Sequence, residues 1–151
     1  MGDGTLAYLL AVLAGVLNML QSGSNATLNE KLGAGPVVPA LVVYAAGALG
    51  VLAAWPFLGS SLEGVTGRAG AVPWWGWIGG LLGAFYVVVT LTQAKAMGAG
   101  AFTAVTLTAA VVTSLVLDHW GLLGFEVRPL TALRVLGGVL MVAGVGLVAR
   151  F

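Results

Sequence analysis

Residues 18–30, NMLQSGSNATLNE, close the first apolar run of the chain and decide how that run is read. Residues 6–17 are almost entirely apolar, and then Asn18, Gln21, Asn25 and Asn29 follow at steps of three, four and four. On a helix such steps return to one face, so the four amides form a stripe rather than a polar ring. Counted to Leu20, the apolar part spans about 22 Å at ~1.5 Å per residue, short of a hydrocarbon core of roughly 30 Å, so the stripe must complete the crossing. An amide left in lipid without a partner costs about 2–7 kcal/mol. The stripe is therefore expected to face protein or water, as the wall of a polar cavity.

Composition supports a membrane setting for the whole chain. Of 151 residues, 60% are hydrophobic and only 7% charged, with a mean hydropathy of +1.06. Soluble domains carry about 25% charge, which leaves an integral membrane protein as the class. No segment is long or polar enough for a separate soluble domain, so residues 1–151 are expected to form a single transmembrane domain. A formal net charge of +1 with no basic run argues against a nucleic-acid partner. The absence of cysteine excludes disulfides, thiolate metal sites and cysteine nucleophiles. At the N-terminus, MGDGTLAYLL has an acid where a cleavable signal peptide has basic residues, so the first span is expected to be retained.

Five apolar segments are expected to be spans: about 6–29, 37–58, 74–94, 99–117 and 130–148. Each is near the ~20 residues a membrane helix needs, and no ten-residue alternating pattern suggests barrel strands. Ser22-Gly23-Ser24 is a candidate break in the first. Pro73 stands at a favoured helix start for the third. Trp55, Trp74, Trp75, Trp77 and Trp120 fall near span ends, as interfacial anchors do. Pairs of glycines four apart, Gly76 with Gly80 and Gly79 with Gly83, suit close helix approach, as do Gly137, Gly138 and Gly144 in the fifth span. Such glycines serve packing within one chain or contact between two.

Crossing by crossing, Arg68, Arg128 and Arg134 fall on one side and Lys31, Lys95 and Arg150 on the other. Three against three removes the basic bias that orients most membrane proteins. Two readings follow. Either the terminal amine fixes one orientation, or copies insert both ways and pair antiparallel as a dimer of ten helices. Five spans cannot hold an internal inverted repeat, but two opposed copies supply one, with a site near the midplane.

Candidate cavity-lining groups are Asn18, Gln21 and Asn25, with Tyr86, Thr106 and Ser114 as secondary members. Tyr86, Thr90 and Gln93 make a polar line on the third span, while Thr103, Thr106, Thr113 and Ser114 lie roughly on one face of the fourth. Hydroxyls in membrane helices also bond their own backbone carbonyls, an alternative to a lining role. Tyr44 lies inside the second span, where its hydroxyl needs a partner. Asp118 and Glu30 are the candidate coupling acids, although Asp118 can equally meet Arg128 or Arg134, and Glu30 can pair with Lys31. No Ser–His–Asp set, HExxH or GxGxxG after a strand is present, and one histidine cannot hold a metal alone, so neither an enzyme nor a cofactor is expected.

The segments LQSGSNATLNEKLG, VPWWGWIGGLLGAFYVVVT, SLVLDHWGLLG and LTALRVLGGVLMVAGVGLV resemble the YdcZ-type (DUF606) proteins of the drug/metabolite transporter superfamily. WWGWIGGLLGAFYV and LDHWGLLG are the more specific parts, and the resemblance covers nearly the whole chain. It implies a bacterial inner-membrane protein of five helices working as a pair: an antiparallel homodimer, a pair with an oppositely oriented homologue, or a fused double. It also implies transport of small organic solutes. Where the family pattern has Gly-Gln in the fourth span, this chain has Ala109-Ala110, which shifts weight onto Gln21 and Asn25. The expectation is an alternating-access transporter, against the alternatives of a passive channel or a non-transporting membrane subunit.

Overall fold

The computed structural model describes residues 3–59 and 61–150; residues 1, 2, 60 and 151, the first two belonging to the N-terminal stretch read as retained, lie outside the described residues. The described chain is helical: α1 (Asp3–Leu32), α2 (Val37–Ala54), α3 (Val65–Ala69), α4 (Trp74–Trp77), α5 (Gly79–Met97), α6 (Ala99–Trp120) and α7 (Ala132–Arg150), with single 3-10 turns at Trp55–Phe57 and Leu122–Gly124. Five of these helices, α1, α2, α5, α6 and α7, are long and apolar enough to cross a membrane, and between 6% and 22% of each apolar window is buried within the chain. Most of their apolar surface thus points outward, which suits a hydrocarbon solvent.

The candidate break in the first span and the start of the third differ from expectation. Through Ser22-Gly23-Ser24 the first span is continuous, because the Ser22 hydroxyl folds back to donate to the Asn18 carbonyl at 3.0 Å and stays within the helix. At 30 residues, α1 is about 45 Å long, so it tilts or projects beyond a core of roughly 30 Å. The third span does not start at Trp74. Pro73 caps only the four-residue α4, Ile78 turns at φ −83°, ψ −6°, and the long helix begins at Gly79. Glycines at 76, 79 and 80 leave little side chain to hold that junction straight.

The chain divides into two compact units, residues 1–93 and 94–151. In the first, α1 packs on α2. From α2, Tyr44 reaches α5, where its hydroxyl stands 3.0 Å from the place a Cβ on Gly83 would occupy. Gly83 therefore admits a side chain rather than a neighbouring backbone, and beside Gly79 and Gly80 the space is open. Ser22, Asn25 and Ala26 on α1 and Val87, Thr90 and Leu91 on α5 are buried.

In the second unit, α6 and α7 form a hairpin. They come close where Gly138 meets Leu115, with 3.2 Å between a would-be Cβ and Leu115 Cδ1. Gly137, Gly144 and Gly146 have no neighbour within 4 Å of that position, so of the four glycines in α7 only Gly138 serves the hairpin. A single residue, Gly98, joins α5 to α6 at φ +84°, which no L side chain adopts comfortably.

Candidate functional site

Helix α1 carries the amide stripe, and its members meet different surroundings. Asn18, at the middle of the helix, is exposed, and its Oδ1 accepts from the Tyr86 hydroxyl of α5 at 3.5 Å. One turn on, Gln21 is exposed. Asn29 donates from Nδ2 to the Leu91 carbonyl at 3.0 Å. The two inter-helix bonds keep the same order along both helices, so α1 and α5 run in the same sense.

Asn25 differs from its neighbours. Only 5% exposed, it sits between Ser22 and Asn29 on the packed face, and no hydrogen bond among the described residues engages its amide. Yet none of the sealed side-chain nitrogens or oxygens there lacks a partner, so the Asn25 amide is covered without being closed off. A covered amide without a partner forgoes about 1–3 kcal/mol, which a water or solute at that point would restore.

Hydroxyls on α5 are largely satisfied by their own helix. Thr90, 1% exposed, donates to the Tyr86 carbonyl at 2.9 Å, and Thr92 to the Val88 carbonyl at 2.9 Å. In the second unit, Thr106 donates to the Phe102 carbonyl at 2.9 Å and Ser114 to the Val111 carbonyl at 2.8 Å. That is the self-bonding alternative that serine and threonine always offer in a helix. Thr108, buried on α6, was not singled out by sequence reasoning; it follows Thr106 by two residues and so falls off the face chosen from spacing.

Asp118 is tied down. Its Oδ2 accepts from Arg134 Nη2, while Arg134 Nη1 donates to the Arg128 carbonyl at 2.8 Å and the Arg128 amide donates to the Asp118 carbonyl at 2.8 Å. His119 Nδ1 accepts from the Leu130 amide at 3.3 Å. These contacts fasten the turn between α6 and α7. The other candidate acid, Glu30, is exposed in the last turn of α1. A groove of about 480 Å³ lies on the hairpin, lined by Leu130 of the connecting loop and by apolar residues of α6 and α7, and none of the predicted site residues borders it.

Within the first unit the structure thus brings together Asn18 and Tyr86 and places Asn25 on the same helix face; Thr106, Ser114 and Asp118 belong to the second. Neither the curated proteins nor the solved structures compared with the chain gave a match. Residues 6–147 match the family model described as "Putative inner membrane exporter, YdcZ", a description of an exporter and not of an enzyme. With that match running almost end to end over five helices of membrane-spanning length and composition, the chain belongs to the YdcZ family and is a multi-pass inner-membrane protein.

Proposed function

We propose that the chain transports a small organic solute by alternating access, as a dual-topology antiparallel homodimer in which both units of each copy serve one transmembrane domain. The observation that carries this reading is the covered, unbonded amide of Asn25 on the stripe that also bears the exposed Asn18 and Gln21. Polar groups at that depth do not face lipid without cost, so the exposed members call for a partner helix or an aqueous path. The even split of lysines and arginines supports copies inserted both ways, and two opposed copies supply the inverted repeat that midplane sites are built on.

In this reading Asn18, Gln21 and Asn25 line the solute path and Tyr86 closes against Asn18. Thr106 and Ser114 are lesser contributors, since their hydroxyls are already committed to carbonyls of their own helix. Asp118 anchors the α6–α7 turn through Arg134, and Asp118 and Glu30 remain the two candidate coupling acids.

The test is flux of a panel of labelled small organic solutes into proteoliposomes. Asn25→Leu and Gln21→Leu are each expected to abolish flux while leaving assembly intact. Unchanged flux removes both residues from the path. Accumulation against a gradient separates transport from a passive channel, which cannot work uphill.

A further inference from the structure

At the loop end of the second unit, a hollow bordered by three charged residues lies near the apolar groove. The hollow, about 440 Å³, is lined by Asp118, Gly124, Phe125, Glu126 and Arg128. The groove begins one turn back along α6, at Leu115 and Val116, and follows α7 from Val135 to Ala143, about 12 Å of helix. Asp118, which lines the hollow, pairs with Arg134, the residue before Val135 of the groove, and Trp120 at the end of α6 is exposed, as suits a residue anchoring a span end at the bilayer interface.

Four charged side chains gather here, two of each sign: Asp118, Glu126, Arg128 and Arg134. Asp118 and Arg134 are spent on each other, and Arg134 also holds the Arg128 carbonyl. Glu126 and Arg128 hold each other only loosely. Their side chains are 85% and 68% exposed and meet only at 3.4 Å, a geometry worth little by itself. What remains on offer is one guanidinium and one carboxylate side by side, above a groove without polar lining.

From this we infer that the hairpin binds one zwitterionic aminophospholipid. Its phosphate meets the Arg128 guanidinium, its primary ammonium donates to the Glu126 carboxylate, and an acyl chain lies in the groove between α6 and α7. An anionic headgroup would leave Glu126 facing like charge. A quaternary ammonium has no N–H to give it. Both charge sign and hydrogen bonding therefore favour the primary amine.

Delipidated full-length protein in mild detergent would be titrated separately with phosphatidylethanolamine, phosphatidylcholine and phosphatidylglycerol carrying identical chains. Native mass spectrometry reads the lipid retained per chain. Phosphatidylethanolamine is expected to be held at one per chain, about tenfold more tightly than either other lipid, as one charge-assisted hydrogen bond would give. Glu126→Gln should erase that preference, whereas Arg128→Gln, which removes the partner of the phosphate common to all three, should weaken retention of each. Val139→Trp, which fills the groove from an exposed position, should lower retention of all three. Equal retention of the three lipids would overturn the inference. So would a preference that survives Glu126→Gln, retention unchanged by Arg128→Gln, equal binding of chain-free glycerophosphoethanolamine, or a groove closed by a second copy whose cross-linking at Val139→Cys leaves no lipid bound.

Discussion

Two asparagines four residues apart on α1 give opposite expectations when their amides are removed. Asn29 donates to the Leu91 carbonyl across helices, so Asn29→Leu should lower stability by about 0.6 kcal/mol, and at most about 1.7, as measured for such bonds in membrane bundles. Asn25 has no such bond to lose, and Asn25→Leu should leave the thermal unfolding midpoint in micelles unchanged or raised. A fall at Asn25 as large as that at Asn29 would mean that its amide is structural. The Tyr44–Gly83 contact offers a second test at this scale. A Cβ at residue 83 meets the Tyr44 hydroxyl at 3.0 Å, so Gly83→Ala should be tolerated better by about 0.5–1 kcal/mol in a Tyr44→Phe background than alone. Additive effects in that cycle would show that the contact is not felt.

Among the elements, the α6–α7 turn is the most tightly specified. Gly121 has φ +61°, and a Cβ there would lie 2.7 Å from Val127 Cγ2 and 3.3 Å from the Phe125 carbonyl oxygen. Leu123 adopts φ +55° without glycine's freedom. Gly121→Ala should therefore cost more than the ~1–2 kcal/mol of left-handed strain alone, while Leu123→Gly should recover about 1 kcal/mol, both read from thermal unfolding. The expected span positions agree with the five long helices to within a few residues at most ends, because a run of about 20 apolar residues has few other uses. The break at Ile78 was not legible, since Trp74–Trp77 is as apolar as the helix that follows. Nor does periodicity tell which amide of a stripe is covered. Asn18 and Asn25 share a face, yet Asn18 is exposed and Asn25 is buried. For serine and threonine, spacing puts Thr106 and Ser114 on one face but leaves open the bond to their own i−3 or i−4 carbonyl, which both hydroxyls make. The groove on the hairpin was invisible because it arises from the crossing of two helices at Leu115 and Gly138.

For the molecule as a whole, orientation is decided by very few charges, which makes it easy to bias and hence to test. The chain has no cysteine, so Ser61→Cys, in the exposed loop after α2, provides a unique reporter. With the native three-to-three distribution, an impermeant maleimide applied to intact spheroplasts should label about half of the copies, the rest reacting only after permeabilisation. Two lysines added to the same loop make that side five to three, and every copy should then hold the loop in the cytoplasm. A homodimer of opposed copies can no longer form, so flux should vanish although the protein inserts and folds. Replacing Arg68 and Arg128 by glutamine tips the balance one to three the other way and should be equally inactive alone. Co-expression of the two biased variants restores one copy of each orientation, and flux should return. If the unmodified distribution gives labelling from one side only, or if a singly oriented variant transports unaided, the antiparallel pair is not the working unit and the stripe on α1 must find its cavity within copies aligned in the same sense.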